Sequence, residues 1–302
     1  MRPILLTSRR MRNLLRFLSV LVLLALVWPA AVTTQTPARK KLLFLTHAAL
    51  YKHTSLAPAE KSVTEWGKTG GFDVTTVEGY KQDSDKIDLS FLTSDYLAQY
   101  DGLMLMTNGN LPLTDAQKKM LVDYVKSGKG LIGTHCATLT LYDYPEFGEI
   151  LGGYYLRSLV PMNLMSQGRV GLLKVEDENH PATKMLGSTW PLDEEFYEFG
   201  HAVWDASKPT ENVSQVGRLH ILMPFSRSRV HVLLSLDTER MDLSGLQTIT
   251  RGGDYPQSWT VNAGGGRTFY TTLGHRDDLW TNDPVFRAHV TGGIRWALGI
   301  EH

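Results

Sequence analysis

Short apolar runs that alternate with helical patterns constrain this chain more than any other feature. Lys41-Leu-Leu-Phe-Leu-Thr46, Gly102-Leu-Met-Leu-Met-Thr107 and the Leu131-Ile132 step after Gly130 are continuous rather than alternating. Continuity of this kind marks strands buried on both faces, as parallel sheets require. Helix signatures lie between them. Pro58 stands near the start of a helix over 58–69 that Gly70-Gly71 closes. Thr114-Asp-Ala-Gln117 is a capping box, and the helix it opens runs to Ser127 and stops at Gly128. Residues 72–78 read as a second strand, 88–97 as a short helix or loop, and 145–151 as a short helix. The alternation predicts an α/β fold with a mostly parallel central sheet and helices on both faces. The second half is richer in strands. Candidates lie at 169–175, 230–236 and in a hairpin of 258–262 with 267–273, whose Gly264-Gly265-Gly266 turn reads as longer than the two-residue kind. Residues 193–199 alternate charge with aromatics, and a last helix runs from Asp283-Pro284 to Leu298-Gly299.

The amino terminus stands apart from this pattern. Arg2, Arg9, Arg10, Arg12 and Arg16 precede an unbroken apolar and small-residue run over 17–28, then Pro29-Ala30-Ala31. This predicts a secretory signal peptide over 1–31, a linker over 32–40 and one domain over 41–300, with a periplasmic or extracellular location. The apolar run is short for a spanning helix, so no stable membrane span is expected once the signal is removed. Ser8-Arg9-Arg10 has part of a twin-arginine pattern, but Arg12 breaks it. Removing those five arginines leaves 26 of the 31 basic residues against 31 acidic ones, a net charge of −5. That balance argues against nucleic acid as a partner. Cys136 is the only cysteine, so no internal disulfide is available and the core must carry stability.

Three histidines fall just past the carboxyl ends of expected strands: His47 after the first, His135 after the fourth and His275 after the last. Parallel strands would bring the three imidazoles into one crevice at the sheet's carboxyl edge, where open α/β sheets bind ligands. His53, on the loop after the first strand, could join them. Each histidine taken singly also fits a structural role. Imidazole exchanges protons near neutral pH and ligates metals, so His47, His135 and His275 are candidates for acid–base work or for a divalent cation. Glu194 and Glu195 are candidates to orient an imidazole, Glu195 being preferred. Tyr197 and Trp259 could form a floor for the apolar face of a sugar ring, or could be core. Cys136 reads as a small buried residue rather than a nucleophile.

Taken in order, these pieces resemble the ThuA-like (trehalose-utilisation) family. The matching motifs are Thr46-His47 with His53-Thr54-Ser55, Gly130-x-x-Gly133-x-His135-x-Ala137-Thr138, Tyr144-Pro-Glu-Phe-Gly148 with Leu151-Gly-Gly-Tyr154, and Asn179-His-Pro181. Asp193-Glu-Glu-Phe-Tyr197, Pro256-x-x-Trp259, and Gly266-Arg-Thr-Phe-Tyr270 with Leu273-Gly-His-Arg276 complete the set over about residues 40–299. The resemblance implies a flavodoxin-like three-layer sandwich related to class I glutamine amidotransferases. In those enzymes an elbow holds a catalytic cysteine, whereas His135 stands at that place here. It also implies a role in disaccharide or 3-keto-sugar metabolism. Many relatives carry a His-Pro pair soon after the Gly-Gly-Tyr motif, whereas this chain runs Tyr155-Leu-Arg-Ser-Leu-Val160. Either Arg157 fills that place or activity is altered or lost.

Two functional expectations follow. One is an exported carbohydrate-active enzyme. His135, His47, His275 and Glu195 would carry the chemistry. His53, Tyr197, Trp259, Arg276 and Arg157 would bind a disaccharide or 3-keto-glycoside. The other is a sugar-binding module without activity. The expected partner is a small-molecule sugar, and a homodimer is the default for such folds.

Overall fold

A computed structural model describes residues 38–83, 86–160, 171–202 and 221–302. The expected signal peptide over 1–31 lies outside the described residues. Arg39–His302 form one compact unit. Among the described residues no helix is long and apolar enough to cross a membrane.

The continuous apolar runs become the centre of the sheet. Strands β1 (Lys40–Ala48), β3 (Gly102–Asn108) and β4 (Gly130–Thr134) are buried almost throughout. β2 (Phe72–Thr76), with its burial alternating after Phe72, takes the edge beside β1. The hairpin strands are β11 (Pro256–Ala263) and β12 (Gly266–Thr271), and β12 inserts parallel to β4. β5 (Tyr154–Ser158) belongs to a second sheet. β6 (Gly171–Val175), β7 (Thr189–Leu192) and β10 (His231–Leu236) extend the first sheet antiparallel. The order is β2-β1-β3-β4-β12-β11-β10-β6-β7. The five strands from β2 to β12 run the same way, so their carboxyl ends share one edge.

Six α-helices accompany the sheet among the described residues: α1 (Leu56–Gly70), α2 (Ser94–Leu97), α3 (Asp115–Lys126), α4 (Pro145–Leu151), α5 (Asp277–Asn282) and α6 (Pro284–Ala297). α3 has the capping box its sequence predicts. The Gln117 amide donates to the Thr114 hydroxyl at 3.2 Å, and the Gln117 side chain accepts from the Thr114 amide at 3.0 Å. Asp283 caps α6 by accepting from the amides of Val285 and Phe286. Strand pleating separates the helices onto two faces. On β12, Phe269 packs under Gly293 of α6, while the adjacent Thr268 hydroxyl donates to the Ile150 carbonyl of α4 at 2.8 Å. This is the α/β three-layer arrangement expected from the sequence.

One detail differs from expectation. The hairpin turn has two residues, Gly264 and Gly265, because Ala263 already pairs with Gly266. Gly264 supplies a φ of +63° at the first turn position, which suits the tight primed turns of hairpins. The aromatic-acid stretch is a strand only from its end: β8 (Tyr197–Ala202) follows a loop over 193–196. β8 lies between β5 and β9 (Ile221–Pro224) in the small antiparallel sheet. That sheet sets Tyr155 and Tyr197 beside the edge where β4 ends.

Candidate active site

His135 opens the 3-10 turn His135–Leu139 directly after β4, with φ at +49°. A bulky residue held in the left-handed region stores strain that surrounding contacts must hold. The contacts are present: Tyr270 donates its hydroxyl to the His135 carbonyl at 2.7 Å, and His135 Nδ1 lies 2.9 Å from the Thr272 carbonyl. A carbonyl only accepts, so Nδ1 carries the proton and the Nε2 lone pair is left facing inward.

Two further segments reach that lone pair, and a third brings His275 beside them. The loop after β1 brings His53 Nε2 to 3.0 Å. The start of β8 brings the Tyr197 hydroxyl to 3.0 Å, and the loop before it brings Glu195 Oε2 to 3.5 Å. After β12, the amides of Gly274 and His275 both donate to Glu194 Oε1 at 2.6 Å, which fixes the turn that carries His275. His275 Nδ1 then lies 2.9 Å from Glu195 Oε2 but out of line for a hydrogen bond. The Ser158 hydroxyl donates to the other oxygen of Glu195. Ring centroids of the three histidines are 4.5 to 5.3 Å apart. The cluster opens into a cavity of about 300 Å³ lined also by Leu50, Tyr51, Asn108 and Tyr155.

Electrostatics divide the cluster. Burial, followed by the charge of His275, lowers the His135 pKa to about 3. Burial, then His135 and His275, lowers His53 to about 2. Both rings are therefore neutral at physiological pH. Burial also acts against a charged His275, but the Glu195 carboxylate outweighs it and raises the His275 pKa. Burial likewise pushes Glu195 up, and His275 with the Ser158 hydroxyl pulls it below the usual range. Glu194 is raised to about 7 by burial, despite its amide donors.

The donor set fits a divalent cation. His53, His135, His275 and Glu195 each offer a ligand atom, and all four lie within 4.8 Å of one another. Tetrahedral zinc with bonds of ~2.0–2.1 Å holds its ligand atoms about 3.4 Å apart. Three imidazoles and one carboxylate are a normal set for such an ion, and a backbone carbonyl orients His135 from behind, as ligand histidines require. Without an ion, His53 and Tyr197 compete as donors for the single lone pair of His135.

The structure thus brings His135, His53, His275, Glu195 and Tyr197 into one site. It places His47 elsewhere. β1 continues to Ala48, so His47 lies within the strand rather than past its end, and its Nδ1 faces the Gly79 carbonyl at 2.9 Å. His53 occupies the place expected for it. Trp259 is core: it is fully buried, its Nε1 donates to the Leu151 carbonyl at 2.9 Å, and its ring packs on Phe199, Phe225 and Tyr270. Arg157 pairs with Glu198 at 2.5 Å, and Arg276 pairs with Asp278 at 2.6 Å and donates to the Asp193 carbonyl. Neither arginine lines the cavity. Cys136 is fully buried, and burial pushes its thiol up to about 12, so a thiolate nucleophile is not available. Sequence reasoning passed over Asn108, Ser158 and Thr272. The only available signal was the position of Asn108 at a strand end. A larger cleft of about 570 Å³ lies beside β6 and β10, but the carboxylates of Glu176, Asp254 and Asp237 there are already paired with Arg227 and Arg240.

No curated protein matches the chain. Solved structures share the fold, two of them with TM-scores of 0.60 or more. A protein described as ThuA-like from Bacteroides uniformis ATCC 8492 is 22% identical, with a TM-score of 0.63 over 90% of this chain and 96% of that one. Another described in the same way, from Parabacteroides merdae ATCC 43184, is 19% identical, with a TM-score of 0.60 over 87% and 91%. The family model for ThuA, trehalose utilisation, matches residues 41–297, and on that span, which carries every residue of the histidine cluster, the chain belongs to the ThuA family.

Proposed function

We propose that this chain is an enzyme acting on a sugar, a disaccharide or its 3-keto form, at the site built by His53, His135, His275 and Glu195. The observation that carries this reading is the convergence of three imidazoles and one carboxylate from four separate segments at the carboxyl edge of the sheet. The family's description, trehalose utilisation, supports a sugar as the substrate class. Neutral imidazoles with lowered pKa are weak bases, so His53 and His135 suit ligation and orientation better than proton abstraction. A divalent cation bound there would polarise a sugar carbonyl or hydroxyl and stabilise the negative charge that develops on it. His275 Nδ1 lies 2.9 Å from Glu195 Oε2, and the carboxylate favours a charged imidazole that can give up its proton to a substrate atom. Tyr197 places a hydroxyl donor 3.0 Å from His135 Nε2, within reach of a substrate oxygen seated beside it. The walls around the cluster shield these groups from bulk water, which strengthens their interactions.

The test is turnover of trehalose, sucrose and their 3-keto forms by mass spectrometry. Wild type and His135→Ala would be compared with and without chelator. Conversion that disappears in the variant and in chelator is expected. Conversion that survives His135→Ala on any of these substrates would remove the cluster from the chemistry.

A further inference from the structure

Leu50 and Tyr51 are 41% and 51% exposed, and they are consecutive. Single exposed apolar side chains need no explanation. These two stand at the mouth of the histidine cavity and line it. They are also held in place. Asn108 at the end of β3 is buried, and its Oδ1 accepts from the amides of Leu50 at 2.8 Å and Tyr51 at 3.2 Å. Its Nδ2 donates to the Tyr51 carbonyl at 2.7 Å. The Ala49 amide donates to the Asn108 carbonyl at 3.0 Å. A buried amide side chain thus fixes the backbone beneath two apolar side chains that stay exposed. The Tyr51 ring stands edge-on to His53, with centroids 4.7 Å apart, so the apolar lip is continuous with the reactive cluster. The cavity inside the lip holds about 300 Å³, the low end of the ~300–1,000 Å³ usual for small-molecule sites.

We infer that Leu50 and Tyr51 form an outer subsite for a second ring. The reacting sugar ring occupies the cavity against the histidines. The group attached to it, an aryl ring or another sugar presenting its C–H face, lies on the lip. The inference rests on the sugar reading above and narrows the substrate class to glycosides with a ring-shaped aglycone, engaged at the terminal sugar. Because Asn108 sets the lip before ligand arrives, little ordering cost is left to offset the stacking.

The test is calorimetric binding of methyl α-D-glucopyranoside, phenyl α-D-glucopyranoside and trehalose. The proteins are the wild type, Tyr51→Ala and the Leu50→Ser/Tyr51→Ala double variant, each checked for an unchanged circular dichroism spectrum. Wild type is expected to bind the phenyl glucoside or trehalose about tenfold more tightly than the methyl glucoside, and the preference is expected to fall below about twofold in the variants. Preference for the phenyl compound alone would identify an aryl aglycone, and preference for trehalose a second sugar. Both outcomes support the subsite. Equal affinity of wild type for all three, or a preference that survives in both variants, would overturn the lip and leave the sugar reading standing. Absence of binding by all three would overturn the lip as a subsite for these glycosides and leave the sugar reading to its own turnover test.

Discussion

His289, on α6, is fully buried, with Nδ1 2.8 Å from the Ala182 carbonyl and Nε2 3.0 Å from the Thr271 hydroxyl. Burial lowers its pKa to about 4. The bond to Ala182 opposes the shift and the nearby His180 adds to it. In the unfolded chain the same ring titrates near ~6.5. Between those two values the unfolded state binds the extra proton and the folded state does not, so stability falls as pH drops through this window. His289→Gln keeps a polar donor and acceptor and removes the titration. Between pH 6.5 and pH 5 the wild type should lose about 1–2 kcal/mol more than the variant by urea unfolding. Equal losses would mean that the folded protein protonates this ring. The same scale shows what could be read from single residues. His135 and His275 were legible because each follows a strand that periodicity identifies. His47 was misplaced by two residues of strand length, which in a strand decides whether a side chain reaches past the edge. The role of His53 depends on the path of a loop that Asn108 holds from another strand, and no local pattern records that contact.

The hairpin of β11 and β12 carries His275 into the site, and its turn is where sequence reading erred. Three consecutive glycines read as a turn longer than the two-residue kind, yet only Gly264 and Gly265 form it. Gly266 is already in the ladder, and its glycine identity answers packing. A Cβ there would sit 1.9 Å from the Val125 carbonyl and 2.5 Å from the Lys129 carbonyl, both backbone atoms that cannot turn aside. A Cβ on Gly265 would come no closer than 3.4 Å to the Lys126 carbonyl. Gly266→Ala should therefore cost about 3 kcal/mol in urea unfolding and Gly265→Ala no more than about 0.5 kcal/mol. A small loss at Gly266 would show that α3 can shift away from the hairpin without penalty. Elements with chemical punctuation were readable: α3 from its capping box, α6 from Asp283-Pro284, and α4 from Pro145 and Gly152-Gly153. The small sheet was not, because β5 pairs with β8 some forty residues later through strands of four to six residues. Pairings that distant leave no periodicity in either partner.

Across the whole molecule, the four candidate ligands come from the loops after β1 and β12, the turn after β4 and the approach to β8. An ion held by all four would tie the parallel half of the sheet to the small antiparallel sheet. It would bind only when the chain is folded, since the unfolded chain separates His53 from His275 by more than two hundred residues. Binding free energy at such a site appears as folding stability. At a free cation concentration of ~100 times the dissociation constant, the gain is about 2.7 kcal/mol. For a unit of this size that corresponds to a rise of about 5–10 °C in Tm. Zinc or manganese added to chelator-treated protein should produce this shift, and chelator should reverse it. Glu195→Gln removes the only carboxylate of the set, and His53→Ala removes the ligand furthest out on a loop. Each variant, compared with its own metal-free form, should lose most of the shift whether or not it retains turnover. Full retention of the shift in both variants would place any bound ion outside the cluster. The neutral histidines would then be a hydrogen-bonded relay around Tyr197 rather than a metal centre.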